Sequence, residues 1–224
     1  MGNNRNLSID LIKIIAMLSV VGLHSTCDFI NPEKFGMANI LYRTFVVAIP
    51  LFFMVSGFLL LGRKSINYKY SQRKIINIIR FVGLVVVFYI CLRELKHIQS
   101  FDFTSFFHSL VFNFTGAFIQ KGVFGVFWYF GAMIIIYSLL PILNDLYLNK
   151  NKSFVLLLIA LFVIDNAVFF ANIYVEGKPF EFYIMQPFRI WNWLFYFVLA
   201  VIQKQLVLKS KKEMSLFVQF CFSL

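Results

Sequence analysis

The chain has 224 residues, of which 60% are hydrophobic, 19% are aromatic and 14% are charged. Soluble globular domains have fewer apolar and more charged residues, so this composition excludes a protein whose whole surface faces water. The net charge of +11 does not indicate nucleic-acid binding, because the Lys and Arg residues lie in short clusters between apolar runs. Such clusters are typical of cytoplasmic loops that face anionic lipid headgroups or an anionic cofactor.

Six apolar runs approach the length of about 20 residues that a helix needs to cross a bilayer. The segment 101–120 is aromatic but contains Asp102 and His108, and we predict that it is an interfacial or re-entrant piece. We therefore predict an all-α fold, a polytopic transmembrane helical bundle with about six full spans plus a partial seventh from Met214, in a single domain over residues 1–224. The predicted full spans are residues 7–27, 40–62, 75–92, 123–143, 154–173 and 191–206.

The Lys and Arg residues of alternate loops predict the orientation, because positive charge is retained on the cytoplasmic side of a membrane. The loops on the side of Arg5 hold twelve of these residues, and the loops on the other side hold six. This asymmetry places the N-terminus in the cytoplasm and predicts a multi-pass protein of the cell membrane. Asp10 and Lys13 interrupt the first apolar run, which indicates an uncleaved first helix instead of a signal peptide.

The first span, LSIDLIKIIAMLSVVGLHSTC, holds three ionisable residues, Asp10, Lys13 and His24, which a simple anchor would not need. Such residues are costly in a bilayer and usually face a bundle interior or a wet cavity. Lys13 and His24 are about 20° apart around the helix and roughly 16 Å apart along it, so they share one face, and Asp10 can pair with Lys13 one turn away. The alternative is that Lys13 snorkels to the inner headgroups and His24 sits at the outer interface.

The second span contains IPLFFMVSGFLLLGR, in which Pro50 loosens the helix and Ser56 with Gly57 lets another backbone come close. The basic stretch RKSINYKYSQRKIINIIR follows it directly. Arg73 and Arg80 are seven residues apart and therefore lie on one face of the third span. Positive-inside retention explains the first cations of this stretch, whereas Arg80 lies about one turn deeper and is better placed to meet a phosphate-bearing ligand.

The remaining polar residues carry weaker signals. Asp165 with Asn166 lies in the middle of the fifth span, where the pair either lines a site or makes a hydrogen-bonded contact inside the bundle. The three cysteines, Cys27, Cys91 and Cys221, have neither CxxC spacing nor a nearby set of His ligands. We therefore predict no metal site and no disulfide framework.

Four ordered segments together resemble the acyltransferase-3 family. They are the acidic, basic and His pattern of the first helix, the PLFFMVSGFLL of the second, the Tyr- and Arg-rich start of the third, and FWYFGAMIIIYSLLP at Phe127–Pro141. The members of this family are membrane enzymes that move acyl groups, often acetyl, onto hydroxyls of cell-envelope glycans. The resemblance implies O-acetylation of a polysaccharide, a lipopolysaccharide or a lipid-linked saccharide, with acyl-coenzyme A as donor substrate and no permanently bound cofactor.

The resemblance also implies roles for individual residues. Acyl transfer to a sugar hydroxyl needs a base, and His24 is the best placed, either taking the hydroxyl proton or carrying the acyl group itself. Lys13, paired with Asp10, lies nearest the path from the donor to His24. The candidates for the donor phosphates are Arg73, Lys74 and Arg80. The possible pocket residues are Ser56, Trp128, Tyr129 and Asp165.

Two features depart from the family pattern. Lys13 stands where the family usually has Arg, which keeps the charge but loses bidentate phosphate geometry. The family usually has about ten spans, whereas this chain finishes on SLFVQFCFSL, about half a span, so we expect a truncated or interrupted protein. Two rival hypotheses stay open: a transporter or flippase of glycan precursors, whose ionisable residues would line a substrate path, and an inactive acyltransferase fragment.

Overall fold

A computed structural model of the chain describes residues 7–26, 36–95, 102–174, 179 and 183–209. These ranges contain helices and no strand, so the predicted all-α fold is confirmed. The helices are α1 (Leu7–Thr26), α2 (Met37–Val46), α3 (Ala48–Leu60), α4 (Tyr68–Leu95), α5 (Phe103–Phe118), α6 (Trp128–Asn149), α7 (Asn151–Tyr174) and α8 (Ile190–Lys209), with short 3-10 turns at Gly125–Phe127 and Gln186–Phe188.

Five helical segments of the described ranges are long and apolar enough to cross a membrane. The sixth predicted span, 191–206, falls on α8, of which Ile190–Ile202 forms a shorter apolar helix. The partial seventh span from Met214 lies outside the described residues. A polytopic helical membrane protein is therefore confirmed. The five segments are Leu7–Thr26, Met37–Leu60, Tyr68–Leu95, Gly125–Asn149 and Asn151–Tyr174.

The second predicted span is interrupted at Val47, where α2 ends and α3 begins. Pro50 accounts for the interruption, because its ring nitrogen carries no proton for the carbonyl of Val46 and the ring crowds that carbonyl. The chain nevertheless continues without a loop, so Met37–Leu60 remains a single candidate span.

Helix α4 begins at Tyr68, seven residues before the predicted start of the third span. The Asn67 side chain caps it, since Asn67 Oδ1 accepts a hydrogen bond from the Tyr70 backbone N–H at 2.8 Å. With 28 residues α4 is about 42 Å long, which exceeds the hydrocarbon thickness of roughly 30 Å. Its basic first turns therefore extend beyond the apolar layer.

Residues 103–118 of the aromatic segment form α5, a helix of 16 residues that is shorter than a span. Asp102 caps its N-terminus by accepting hydrogen bonds from the backbone N–H groups of Thr104 (3.3 Å) and Ser105 (2.8 Å). Its interfacial or re-entrant position in the membrane stays a prediction.

The described contacts divide the chain into two compact units, Met1–Leu61 with Trp193–Leu224 (unit 1) and Gly62–Asn192 (unit 2). This division does not test the prediction of one transmembrane domain over the chain, which stays a prediction. In unit 1, α1 packs against α2 and α3, and α3 is the most buried helix. Gly57 of α3 lies against the Phe197 backbone of α8, so the predicted close approach of a second backbone at Gly57 is confirmed.

Unit 2 has a core of aliphatic and aromatic side chains from α4, α5 and the turn before α6. Three polar residues of unit 2 are also buried, Ser71, Asn113 and Asn144, and Asn144, near the end of α6, is 4% exposed. The fully or largely buried members of the core are Val82, Val86, Ile90, Ala117 and Phe124.

Candidate functional site

Helix α1 carries the three ionisable residues that the sequence singled out in the first span. Lys13 Nζ lies 3.5 Å from Asp10 Oδ1, so the predicted pairing is present, with the Lys13 side chain 39% exposed. The packed side of the helix is marked by Ala16, which is fully buried. Lys13 and His24 lie about 60° and about 80° from Ala16 in the same direction around the helix. They therefore share one edge of the packed side, as the spacing predicts.

His24 lies in the last turn of α1, and its side chain is exposed. Within the described ranges its imidazole has no hydrogen-bond partner among the protein side chains. The turn itself is held in place, because the Phe45 ring of α2 packs over Gly22 and the Thr26 hydroxyl donates to the Gly22 carbonyl at 2.8 Å. The result is an accessible imidazole on a fixed helix end, which is able to accept a proton from a substrate hydroxyl.

The basic residues of α4 lie on two different faces of the helix. Arg73 and Arg80 are both exposed and about 20° apart around the helix, as predicted, and Arg80 lies about 180° from the buried Ser71. Lys69 shares their face, and the Arg73 Nε approaches the Lys69 carbonyl at 3.4 Å. We call Lys69, Arg73 and Arg80 the basic stripe.

Lys74 does not belong to the basic stripe. Its Nζ lies 5.5 Å above the centre of the Tyr70 ring, and its side chain is partly buried on the flank of α4. Of the three residues predicted to hold the donor phosphates, the structure therefore brings Arg73 and Arg80 onto one surface and turns Lys74 toward an aromatic ring.

The four possible pocket residues are divided between the units. Ser56 is partly buried on α3 between Val55 and Gly57, in unit 1. Trp128 and Tyr129 begin α6 and Asp165 lies in the middle of α7, all three partly buried in unit 2. The role of these four residues in a pocket stays a prediction.

Asn166, next to Asp165, donates a hydrogen bond from Nδ2 to the Phe162 carbonyl at 2.8 Å. This bond stays within α7 and satisfies the amide without a second helix. It is not a contact with another helix of the bundle, so both hypotheses for the pair Asp165 and Asn166 stay predictions.

Asn144 is a polar residue that sequence reasoning missed. Its Oδ1 accepts from the Gly62 backbone N–H at 2.8 Å, and its Nδ2 donates to the Arg63 carbonyl at 3.0 Å. The only available signal was an amide near the end of an otherwise apolar span, in the stretch LLPILND.

Among the described residues no group of three or more His, Cys, Asp or Glu side chains could hold a metal ion. Cys91 is exposed and free, while Cys27 and Cys221 lie outside the described residues, as does His97. His108 is exposed on α5, with its ring stacked on Phe112 at 6.5 Å between centres.

Comparison with known proteins places the chain in a family. The chain is 33% identical over 132 residues to a curated Enterococcus faecalis protein named amino-acid racemase. That match covers 57% of this chain and 18% of the relative, so the chain spans about a fifth of the relative's length. No solved structure matches the chain. A family model described as an acyltransferase domain matches residues 6–223. Because this match covers nearly the whole sequence, the chain belongs to the acyltransferase-3 family, a family of membrane acyltransferases.

Proposed function

We propose that this protein transfers an acyl group, in the first place acetyl, from acyl-coenzyme A to a hydroxyl of a cell-envelope glycan or lipid-linked saccharide. Family membership supports acyl transfer in a membrane. The observation that carries the proposal is the geometry of α1, where the Asp10–Lys13 pair and the exposed His24 lie on one edge of one apolar helix. Their separation along that helix is about 16 Å, roughly half the hydrocarbon thickness.

His24 acts as the general base in this proposal. The acceptor hydroxyl gives its proton to the imidazole as its oxygen attacks the thioester carbonyl, so that a carbon–oxygen ester bond forms. The carbon–sulfur bond of the donor breaks, and the coenzyme A thiolate takes the proton from the imidazolium. The exposure of His24 supports this role, because a base must come within hydrogen-bond reach of its substrate.

The donor is an anion of the cytoplasm, and the start of α4 offers it a matching charge. Two guanidinium groups of the basic stripe, Arg73 and Arg80, are exposed on one surface, and guanidinium binds phosphate in a bidentate manner. Arg80 lies five residues after Ile75, the predicted start of the apolar stretch, which is about 8 Å deeper along the helix. A cation at that depth supports a ligand whose phosphates lie at the membrane surface and whose acyl arm points inward.

The proposed orientation has the N-terminus in the cytoplasm and His24 toward the outer face of the cell membrane. The excess of Lys and Arg in the loops on the N-terminal side supports it. Under this orientation the pantetheine arm of the cytoplasmic donor reaches inward past Lys13, so that its thioester meets the outer-leaflet acceptor at His24. A polysaccharide or lipopolysaccharide hydroxyl is the acceptor class that fits an outer-leaflet site.

The proposal is tested by expressing the chain in cells that lack acylated envelope glycans and supplying radiolabelled acetyl-coenzyme A to inverted membrane vesicles. We expect label on the glycan, and a rate that falls by about 10²–10⁴-fold in His24→Ala, which is the usual contribution of a general base. His108→Ala is the matched control, because it removes another exposed imidazole outside the proposed site.

Three outcomes contradict the proposal. Equal rates in wild type and His24→Ala would show that His24 is not the general base. Uptake of a sugar lipid without any covalent label supports a transporter or flippase instead. Absence of both label and uptake in well-folded wild-type protein supports an inactive chain. Label trapped on the protein at His24 retains the acyltransferase and replaces the general base with a covalent relay.

A further inference from the structure

The turn between α3 and α4 is held by a buried side chain that belongs to α6. Asn144 is 4% exposed and uses both atoms of its amide, accepting from the Gly62 N–H (2.8 Å) and donating to the Arg63 carbonyl (3.0 Å). Gly62 has a φ of 84°, a conformation that side chains with a Cβ rarely adopt. Two direct hydrogen bonds therefore fix a backbone conformation that few other residues could form.

This contact continues without interruption into the first turn of α4. The Arg63 carbonyl also accepts from the Ile66 N–H at 3.3 Å. The side-chain Oδ1 of Asn67, the next residue, accepts from the Tyr70 N–H at 2.8 Å, and the backbone carbonyl of Asn67 accepts from the Ser71 N–H at 3.1 Å. The basic stripe begins one residue before Tyr70. This series of hydrogen bonds links the Asn144 side chain to the first turn of α4, the helix that carries Arg73 and Arg80.

We propose that Asn144 is a positioning residue for the donor, which holds the start of α4 so that the guanidinium groups of Arg73 and Arg80 face the phosphates together. This inference rests on the proposed function. An amide suits the role because it supplies a donor and an acceptor to the backbone of the turn without carrying a charge. Without it, the Gly62 N–H would have to find water, the Arg63 carbonyl would keep only the Ile66 N–H, and the turn would relax.

The variant is Asn144→Leu, which keeps the side-chain size and removes both hydrogen bonds. The matched control is Asn113→Leu. Asn113 is also a buried amide of unit 2, at 6% exposure, but its Nδ2 bonds the carbonyl and hydroxyl of Ser109 within α5. If Asn144→Leu does not accumulate in membranes, Asn144→Ser takes its place.

The experiment measures acetyl-coenzyme A binding and transfer kinetics on the full chain in detergent, together with trypsin cleavage after Arg63 and Lys64. We expect Asn144→Leu to raise the Kd and KM for the donor by about tenfold, with kcat within about twofold of wild type, because charge-assisted phosphate contacts depend on geometry. Cleavage after Arg63 and Lys64 should be faster than in wild type, measured against cleavage after Lys150, which separates α6 from α7, and Lys152 in the first turn of α7. Asn113→Leu should change neither measurement.

Two results overturn the inference, and they are distinguishable from failure of the proposed function. If wild type binds the donor and Asn144→Leu binds it as Asn113→Leu does, the inference is wrong and the proposed function stands. If Asn144→Leu loses kcat with an unchanged donor Kd, Asn144 has a different role. If wild type binds no coenzyme A at all, the proposed function fails first and the inference falls with it.

Discussion

Helices α1 and α3 pack together in unit 1 but use their residues in opposite ways. Of the thirteen residues of α3, seven are buried, whereas α1 has twenty residues and only Ala16 is buried. The ionisable groups lie on α1, and α3 contacts its neighbours through apolar and small side chains. The difference indicates that α3 maintains the fold of unit 1, whereas most residues of α1 can be substituted without unfolding the protein.

The largest effect on stability is expected from Gly57→Ala in α3. A Cβ at position 57 would overlap the Phe197 carbonyl oxygen of α8, which is backbone and cannot rotate away. We expect a loss of about 3 kcal/mol of unfolding free energy, seen as a lower Tm in detergent, because overpacking a close helix contact forces the backbones apart. Gly36→Ala is the control, since no atom lies within 4 Å of its added Cβ. Equal melting temperatures of the two variants would contradict the assignment of α3 as the packing helix.

A smaller effect is expected from Lys13 on α1. Lys13→Met keeps the apolar stem and removes the charge that pairs with Asp10, so we expect less than about 1 kcal/mol of lost stability, as for other partly exposed ion pairs. Lys13→Arg restores the residue usual in the family and is expected to strengthen donor binding. We expect its donor KM to fall about threefold, because guanidinium binds phosphate in a bidentate manner. A stability loss in Lys13→Met as large as that of Gly57→Ala would erase the contrast between the two helices.

The smallest effect concerns the cap of α5, which lies in unit 2 and outside the candidate spans. The Ser105 hydroxyl, followed by the backbone N–H groups of Ser105 and Thr104, lowers the pKa of Asp102 below its usual value of 3.8. The carboxylate therefore stabilises the first turn at every pH above 3.8, and this contribution is lost as the pH falls through the lowered pKa.

Hydrogen exchange of the Thr104 and Ser105 amides measures this contribution. We expect protection at neutral pH that decreases in strong acid, after correction for intrinsic exchange. Asp102→Asn should retain a cap whose protection does not vary over that acid range, because an amide does not titrate there. The same acid-dependent loss in both proteins would show that Asp102 is not the group responsible.

Much of this arrangement follows from local patterns in the sequence. Apolar runs locate the spans, the spacing of three residues predicts the Asp10–Lys13 pair, and the small side chain of Gly57 predicts a close helix contact. The early start of α4 does not follow from hydropathy, because Lys69 and Arg73 are polar but are good helix formers. The apolar run therefore begins several residues after the helix does.

The hydrogen bonds from Asn144 to the turn between α3 and α4 could not be predicted from the sequence, for a different reason. Its partners, Gly62 and Arg63, lie 82 and 81 residues earlier in the chain, so no helical period links them. An isolated Asn near the end of an apolar run is equally compatible with a bond inside its own helix, as Asn113 shows. Only the tertiary contact between α6 and the α3–α4 turn distinguishes the two cases.

The central claim is that α1 carries a base at its outer end and receives the acyl group from the cytoplasmic side. Cysteine labelling with a membrane-impermeant maleimide tests it, using His24→Cys and Lys64→Cys in a chain whose Cys27, Cys91 and Cys221 are replaced by Ser. We predict that position 24 reacts in intact cells, whereas position 64 reacts only after permeabilisation. Labelling of both positions from the same side, or a position 24 that reacts from neither side because lipid covers it, would contradict the account.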